Sequence, residues 1–250
     1  MSTKAIQKVL AAAAIAATAS GAFARDDQVW LKFAAEGSPF KSGHVANPKD
    51  ETGKSAWQAG WLENVEFKLE QEFKYDNSRL IDEETLMLIG YKFCPWFSAF
   101  VGHRVVRERK SGQGPLQTEQ RQTTDLCFTV PEFWKLKVDF RSRFELRDKH
   151  HAQAYMRYRE RIRLRTSWKA TKLDISPYCS EELFFSDKPK QDHADLFDRS
   201  RAQLGLTFRP IPALKDLSCN LYFMVQHDMS SKSSTWDPTN VYGLDLTCKF

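Results

Sequence analysis

Strict alternation between charged and apolar residues is the feature that most constrains the fold of this chain. From Tyr155 to Trp168, every second residue between Arg157 and Arg165 is an arginine, and the intervening positions are mainly apolar. The segment Phe133–Arg147 alternates in the same way, with apolar positions at Trp134, Leu136, Val138, Phe140, Phe144 and Leu146. Successive side chains of a strand point to opposite faces, whereas a helix would spread the arginines around its circumference. Both segments are therefore predicted to be β-strands with one apolar and one charged face.

The same period of two recurs along most of the chain and predicts ten strands within a barrel domain of residues 61–250. The strands are expected at about residues 61–76, 84–94, 97–108, 118–130, 133–147, 154–168, 172–186, 196–208, 217–227 and 239–250. They exceed the about 5–6 residues that are most common in globular strands, and they reach the roughly 9–11 residues that a tilted membrane strand needs. The predicted fold class is all-β, an antiparallel up-and-down transmembrane β-barrel.

The residues before this domain divide into two segments. Residues 1–24 have the features of a signal peptide, with a basic start, a short apolar stretch at Val9–Ala19 and an A-x-A pattern at Ala22–Ala24. Residues 25–60 are punctuated by glycine and proline and are predicted to be an irregular N-terminal extension. Within it, only Trp30–Ala34 resembles a short strand.

The connections between the predicted strands alternate between long polar segments and tight turns. The long ones are Asn77–Glu83, Arg109–Gln117, Asp148–Gln153, Asp187–Asp195 and Asp228–Pro238. The tight ones are Pro95-Trp96, Pro131-Glu132, Lys169–Thr171 and the somewhat longer Arg209–Asp216. Outer-membrane barrels have short periplasmic turns and longer extracellular loops, so the pattern predicts an even strand number with both termini on the periplasmic side. Pro177 falls inside a predicted strand and predicts a bulge or a break there.

The last nine residues of the chain form an alternating strand that ends on an aromatic residue. They resemble the C-terminal signal of outer-membrane barrels that the bacterial barrel-assembly machinery reads. The matching positions are Gly243, Leu246, Cys248 and Phe250, whereas Val241 stands where the signal has a polar residue. This resemblance implies a location in the bacterial outer membrane, with outer-membrane lipid and the assembly machinery as partners.

Three segments of the predicted barrel carry a second resemblance. They are Phe140-Arg-Ser-Arg-Phe-Glu-Leu-Arg147, Tyr158-Arg-Glu-Arg-Ile-Arg-Leu-Arg165 and Pro177-Tyr-Cys-Ser-Glu-Glu-Leu-Phe-Phe185. On these segments, residues 61–250 resemble an uncharacterised bacterial family known only as a domain of unknown function. The resemblance implies an outer-membrane-like barrel and supplies no activity.

The charge pattern determines which face would lie inside a membrane barrel. Lys or Arg on the lipid face costs roughly 2–4 kcal/mol at the bilayer midplane, so the arginines are expected in the lumen. The predicted lumen cations are Arg141, Arg143, Arg157, Arg159, Arg161, Arg163, Arg165, Arg199 and Arg201. The predicted lumen carboxylates are Glu66, Glu70, Glu72, Asp125, Asp139, Glu145, Glu182 and Asp245. A soluble periplasmic ligand-binding barrel would have the opposite faces. Glu160, which falls on the apolar face near the middle of its strand, opposes the membrane barrel.

The arginine ladder allows two interpretations. Rings of basic residues select anions in pores, so the lumen is a candidate path for a small anionic solute. The ladder can also be structural, because the interior of a small barrel is filled by its own side chains. We therefore expect a small outer-membrane barrel that is structural or weakly porin-like. Nucleic-acid binding is not expected, because the stacking pattern and the compartment both argue against it.

No catalytic, metal or cofactor site is expected from the sequence. It contains neither a G-x-S-x-G nor an H-E-x-x-H motif. The alternative is a barrel hydrolase with an outer-loop His/Asp site, since His150, His151, His193 and His227 lie in or beside predicted outer loops. The five cysteines, of which Cys219 and Cys248 are the candidates for a disulfide, lack the spacing of a zinc site.

Overall fold

The computed structural model describes residues 27–40, 61–76, 79–109, 114–149, 153–166, 173–187, 196–211, 213–229 and 236–250. The predicted signal peptide, residues 1–24, and parts of several predicted loops lie outside these ranges. No helix among the described residues is long and apolar enough to cross a membrane.

Eleven strands of the described residues form one closed barrel. They are β1 (Asp27–Gly37), β2 (Val65–Asp76), β3 (Arg79–Cys94), β4 (Phe97–Arg109), β5 (Leu116–Phe133), β6 (Leu136–Lys149), β7 (Tyr155–Thr166), β8 (Ser176–Ser186), β9 (Phe197–Phe208), β10 (Leu217–Met229) and β11 (Trp236–Lys249). A short 3-10 helix, Leu62–Asn64, precedes β2. The all-β barrel predicted from the alternation is confirmed, and its ten predicted strands correspond to β2–β11.

The segment expected to be an irregular extension contains the strand that closes the barrel. β1 pairs antiparallel with β2 and parallel with β11, so that Trp30 lies opposite Lys74 on one side and Gly243 on the other. The remaining neighbours pair antiparallel. The prediction of about ten antiparallel strands is therefore close to the structure, which has eleven strands with one parallel pair among the described residues. Without β1, the edges of β2 and β11 would present unpaired backbone N–H and C=O groups.

The odd strand number places the start of β1 and the end of β11 at opposite ends of the barrel. The end at which β11 stops, called the C-terminal end below, carries the connections 38–64, 95–96, 134–135, 167–175 and 209–216. The opposite end carries the connections 77–78, 110–115, 150–154, 187–196 and 230–235. Long and short connections thus occur at both ends. The predicted alternation of loop lengths, and the predicted placement of both termini on one side, are wrong.

The hairpin between β5 and β6 turns at Trp134-Lys135 rather than at the predicted Pro131-Glu132. A two-residue type I′ turn needs positive φ at both turn positions, and φ is 48° at Trp134 and 60° at Lys135. Proline cannot supply this conformation, because its ring holds φ at about −65°. Pro131 accordingly lies within β5. Pro177 does not break a strand either, because it is the second residue of β8.

The barrel has an apolar outer surface and a charged interior. Outward-facing apolar side chains are 49% to 65% exposed at Leu69, Met87, Val101, Leu204 and Leu221. The buried residues, by contrast, include many charged side chains, among them Arg104, Asp125, Arg143, Glu145 and Arg159. This distribution is the reverse of that in a soluble globular protein.

The C-terminal residues pack against β1. The Phe250 N–H donates a hydrogen bond to the Glu36 carbonyl oxygen at 3.1 Å. A Cβ at Gly37 would lie 2.0 Å from the Phe250 carbonyl oxygen, so only glycine allows this close approach. The closing strand and the end of the chain therefore depend on each other.

The four residues that resemble an assembly signal lie at or just after β11. Gly243 faces the lumen, where the Tyr222 ring covers it so closely that a Cβ would lie 1.9 Å from the ring. Leu246 and Cys248 alternate with the lumen-facing residues of β11 and lie on the outer face. Cys248 and Cys219 are free thiols, as are the other three described cysteines.

Candidate functional site

The lumen contains a cavity of about 280 Å³ whose walls are mainly charged. Among the residues that the structure describes, fourteen Lys and Arg side chains and seven Asp and Glu side chains line it. Four further carboxylates, Glu119, Asp125, Glu145 and Asp198, are buried in the wall. Cations therefore still outnumber carboxylates when these buried acids are included.

Eight of the nine arginines assigned to the lumen from the sequence line this cavity. They are Arg141, Arg143, Arg157, Arg159, Arg161, Arg163, Arg199 and Arg201. Arg165 lies farther toward the C-terminal end, where its side chain is 39% exposed and pairs with Asp139 at 2.7 Å. Alternation places these residues on one face because neighbouring arginines are two positions apart.

The carboxylates assigned to the lumen occupy three kinds of position. Glu70, Glu72, Glu182 and Asp245 line the cavity. Asp125 and Glu145 are buried beneath its lining, and Asp139 pairs with Arg165 nearer the C-terminal end. Glu66 is half-buried on the inner face of β2, close to the start of that strand.

Ion pairs between strands fix the central arginines. Arg143 donates two hydrogen bonds to Asp125, at 2.5 and 2.6 Å. Arg159 donates to Glu145 at 2.8 Å and to Glu182 at 3.0 Å. Glu182 also accepts a hydrogen bond from Arg141 at 2.7 Å. Bidentate and shared guanidinium–carboxylate contacts of this kind hold side chains in a defined geometry.

A second group of ion pairs lies toward the opposite end and was missed in the sequence analysis. Glu119 accepts hydrogen bonds from Arg121 at 2.6 Å and from Arg147 at 2.9 Å. Glu84, on β3, contacts Lys74 and Arg104. Extending the alternation of each strand toward its ends would have assigned these residues to the lumen.

An aromatic residue, Phe184, lies among the lumen arginines. The Phe184 ring is 1% exposed and lies beneath four guanidinium groups, with the nearest, those of Arg159 and Arg201, at 4.6 and 4.7 Å from its centroid. Arg201 also lies 4.8 Å from the Trp30 ring on β1. Cation–π contacts therefore connect the wall at β8 and β9 with the closing strand across the interior.

The histidines provide no catalytic cluster within the described part of the chain. His227 lies on β10, two residues before its end, and its side chain is on the outer face because Gln226 faces the lumen arginine Arg201. His150, His151 and His193 lie outside the described residues. No group of three or more His, Cys, Asp or Glu residues suited to a metal ion occurs among the described residues. The chemistry that the lumen can perform is electrostatic, namely attraction and binding of anions by fixed guanidinium groups.

Comparisons with known proteins assign no activity to the chain. A family model described as "Protein of unknown function (DUF2490)" matches residues 58–236. No curated protein matches the sequence. The chain is similar to the solved structure of the NanC porin in a rhombohedral crystal form, at 12% sequence identity and a TM-score of 0.43, over 73% of this chain and 83% of that chain.

Proposed function

The chain belongs to the family described as Protein of unknown function (DUF2490), and we propose that it is a small outer-membrane β-barrel protein with a weakly porin-like, anion-preferring lumen.

The polarity of the barrel is the observation that carries the membrane location. Arg143 and Glu145 are 2% and 0% exposed inside the barrel, whereas Leu204 on the outer face is 65% exposed. In water, exposing apolar surface and burying charge would both cost free energy. In a bilayer, the same arrangement puts the apolar face against lipid and keeps the charges away from it. Outer-membrane lipid and, through the residues Gly243–Phe250, the barrel-assembly machinery are the partners that this location requires.

The excess of cations supports an anion preference. Most lumen carboxylates are already paired with guanidinium groups, as Asp125 is with Arg143. A cation entering the lumen would therefore meet a net positive potential, whereas an anion would be attracted. The small cavity and the side chains that cross the interior limit the conductance, so the porin-like character is weak.

A second candidate function, a closed structural barrel, is favoured by the contacts across the interior. Arg201 contacts both the Phe184 and Trp30 rings, and Glu182 joins arginines from β6 and β7. Such contacts fill and cross-link the lumen without requiring a solute.

Fractionation and single-channel recording test these proposals. We expect the protein in the outer-membrane fraction, with a heat-modifiable band on an unboiled gel. In planar bilayers under a salt gradient, we expect small conductance steps and a reversal potential that indicates anion preference. A soluble periplasmic monomer would overturn the membrane location and favour a ligand-binding barrel. A folded, membrane-inserted barrel without conductance would support the structural candidate, and hydrolysis of lipid or peptide substrates would support a barrel hydrolase.

A further inference from the structure

Two inward-facing arginines on β7, Arg161 and Arg163, lack the carboxylate partners that the other arginines of this strand have. Arg157, Arg159 and Arg165 each lie within 3.2 Å of a carboxylate oxygen. Arg161 and Arg163 make no hydrogen bond or ion pair with any residue that the structure describes, and the Nε atom of each is buried. Two consecutive inward-facing arginines of β7 therefore have no ion pair with the described residues.

The carboxylates directly opposite these two arginines on the neighbouring strands are already occupied by other donors. Glu182, which lies opposite Arg161 on β8, accepts hydrogen bonds from two other arginines. Asp139, which lies opposite Arg163 on β6, accepts hydrogen bonds from Arg165 and from a threonine hydroxyl. Neither of these two carboxylates therefore accepts a hydrogen bond from Arg161 or Arg163.

Both guanidinium groups line the cavity, and one is held in a defined orientation. Arg163 lies over the Tyr178 ring, with its guanidinium carbon 3.9 Å from the ring centroid. The Tyr178 hydroxyl accepts a hydrogen bond from Gln203 at 3.0 Å, which fixes the ring. Stacking uses the face of a guanidinium and leaves its in-plane N–H donors free. Arg141, directly opposite Arg161 on β6, adds a third guanidinium whose Nε has no partner.

We propose that Arg161 and Arg163, assisted by Arg141, form an anion-binding site in the lumen that takes the carboxylate or phosphate group of a small solute. Planar guanidinium groups bind carboxylate and phosphate oxygens through paired hydrogen bonds. An enclosed cation that has no hydrogen-bonded carboxylate is unfavourable, so we expect the two arginines to lower stability until an anion binds. The proposal rests on the proposed function only in requiring that solutes reach the lumen.

Binding to matched variants tests the site directly. The detergent-folded full-length protein is titrated calorimetrically with inorganic phosphate and, separately, with acetate. The test variant is Arg161→Gln/Arg163→Gln, and the control is Arg165→Gln, which removes an arginine from the same face of the same strand. We expect the double substitution to weaken binding at least tenfold and the control to bind as the unchanged protein does. Binding of phosphate alone or acetate alone supports the site and identifies the group that it prefers.

A stability measurement separates a binding role from a structural one. If Arg161 and Arg163 destabilise the folded barrel in the absence of a bound anion, the double variant should resist urea at least as well as the unchanged protein. Loss of the ion pair between Arg165 and Asp139 should give no increase in resistance to urea. Addition of phosphate raises the urea midpoint of the unchanged protein and not that of the double variant.

The results distinguish this proposal from the proposed function. If the unchanged protein binds neither anion, or if the double variant binds both equally well, the site is refuted, whatever the channel recordings show. If the barrel binds anions but does not conduct, the site stands and the porin-like function fails. A double variant that unfolds more readily in urea would show that these arginines are structural, and this would also overturn the proposal.

Discussion

At the scale of single residues, the lumen contains buried charged side chains whose stability depends on one oppositely charged partner. Arg143 and Asp125 have side chains that are 2% and 4% exposed and are joined by two short hydrogen bonds. Enclosed charges of this kind gain little as a pair, because desolvation opposes their attraction, but either one alone is strongly unfavourable. The pair therefore specifies the packing of β5 against β6 more than it adds net stability.

Removal of one member of the Asp125–Arg143 pair is expected to lower the stability of the barrel far more than removal of both members. Asp125→Ala leaves the Arg143 charge uncompensated and should lower the free energy of unfolding by about 3–5 kcal/mol. The double change Asp125→Leu/Arg143→Met should recover most of this loss. Urea unfolding of the barrel in lipid vesicles, followed by tryptophan fluorescence, measures both quantities.

The pair between Asp139 and Arg165 is the matched control. It joins the same types of side chain, but these are 20% and 39% exposed. Solvent screens such a pair, so Asp139→Ala should cost only about 0–1 kcal/mol. Equal losses at the two sites would contradict the view that enclosure makes the Asp125–Arg143 pair sensitive.

Glu160 shows how a local contact moderates an unfavourable position. It lies on the outer face of β7, between Tyr158 and Ile162, where a carboxylate would be costly against the lipid of the proposed membrane location. Its Oε1 accepts a hydrogen bond of 2.6 Å from the Ser142 hydroxyl on the neighbouring strand. The sequence marked Glu160 as the residue that disfavours a membrane barrel, and the cross-strand serine is visible only once the register is known.

At the scale of elements, β1 is the strand on which closure depends. Its inward residues include Trp30 and Lys32, and Lys32 pairs with Asp245 of β11 at 3.0 Å. Its parallel register with β11 brings Ala35 directly opposite Cys248. Both residues lie on the outer face, since they alternate with the lumen-facing residues of their strands.

A single substitution can test the parallel register, because Cys248 already provides one thiol. Neighbouring strands lie about 4.7–4.9 Å apart, within the range of Cα separations that a disulfide spans. With the other four cysteines changed to alanine, Ala35→Cys should form a disulfide with Cys248 upon mild oxidation. Mass spectrometry of the digested protein identifies the linked peptides. Ala34→Cys, which faces the lumen opposite Thr247, should remain unlinked, and linkage of both or of neither would contradict the register.

The sequence predicted β2–β11 but not β1, for a physical reason. Along β1 the alternation lasts only a few residues, and the Gly- and Pro-containing segment 38–60 separates it from the other strands. Its pairing with β11 is a consequence of closure, which is a property of the whole barrel. No local pattern in Asp27–Gly37 distinguishes a closing strand from an isolated one.

The sequence predicted most of the cations of the candidate site. It predicted much less well which carboxylates they pair with. Arginines at every second position, together with the cost of placing them against lipid, assign the ladder to the interior. The sequence pattern does not single out Glu119 and Arg121, because Gln120 and Gln122 on the outer face are also polar and remove the contrast between the two faces. The contact between Glu119 and Arg147 joins residues 28 positions apart, so it depends on a register that composition does not define.

At the scale of the whole molecule, the odd strand number determines the topology that the chain would have in the proposed membrane location. β1 starts at the end of the barrel opposite the C-terminus, and the segment 38–64 returns the chain to β2 at the C-terminal end. Residues directly before Asp27 and residues within 41–60 should therefore lie on opposite sides of the membrane. A ten-stranded barrel preceded by an irregular extension would place both on the same side.

Epitope insertion in intact cells tests this topology without any assumption about which end faces outward. One tag is inserted directly before Asp27, a second after Gly53, and a third after His151, in a connection at the same end as Asp27. We expect the first and third tags to share one accessibility to antibody on intact cells, and the second to show the other. Each variant must also give the heat-modifiable band of a folded barrel and must react once the cells are permeabilised. Equal accessibility of the tags before Asp27 and after Gly53 would show that β1 does not cross the membrane, and the barrel would then have to close between β2 and β11.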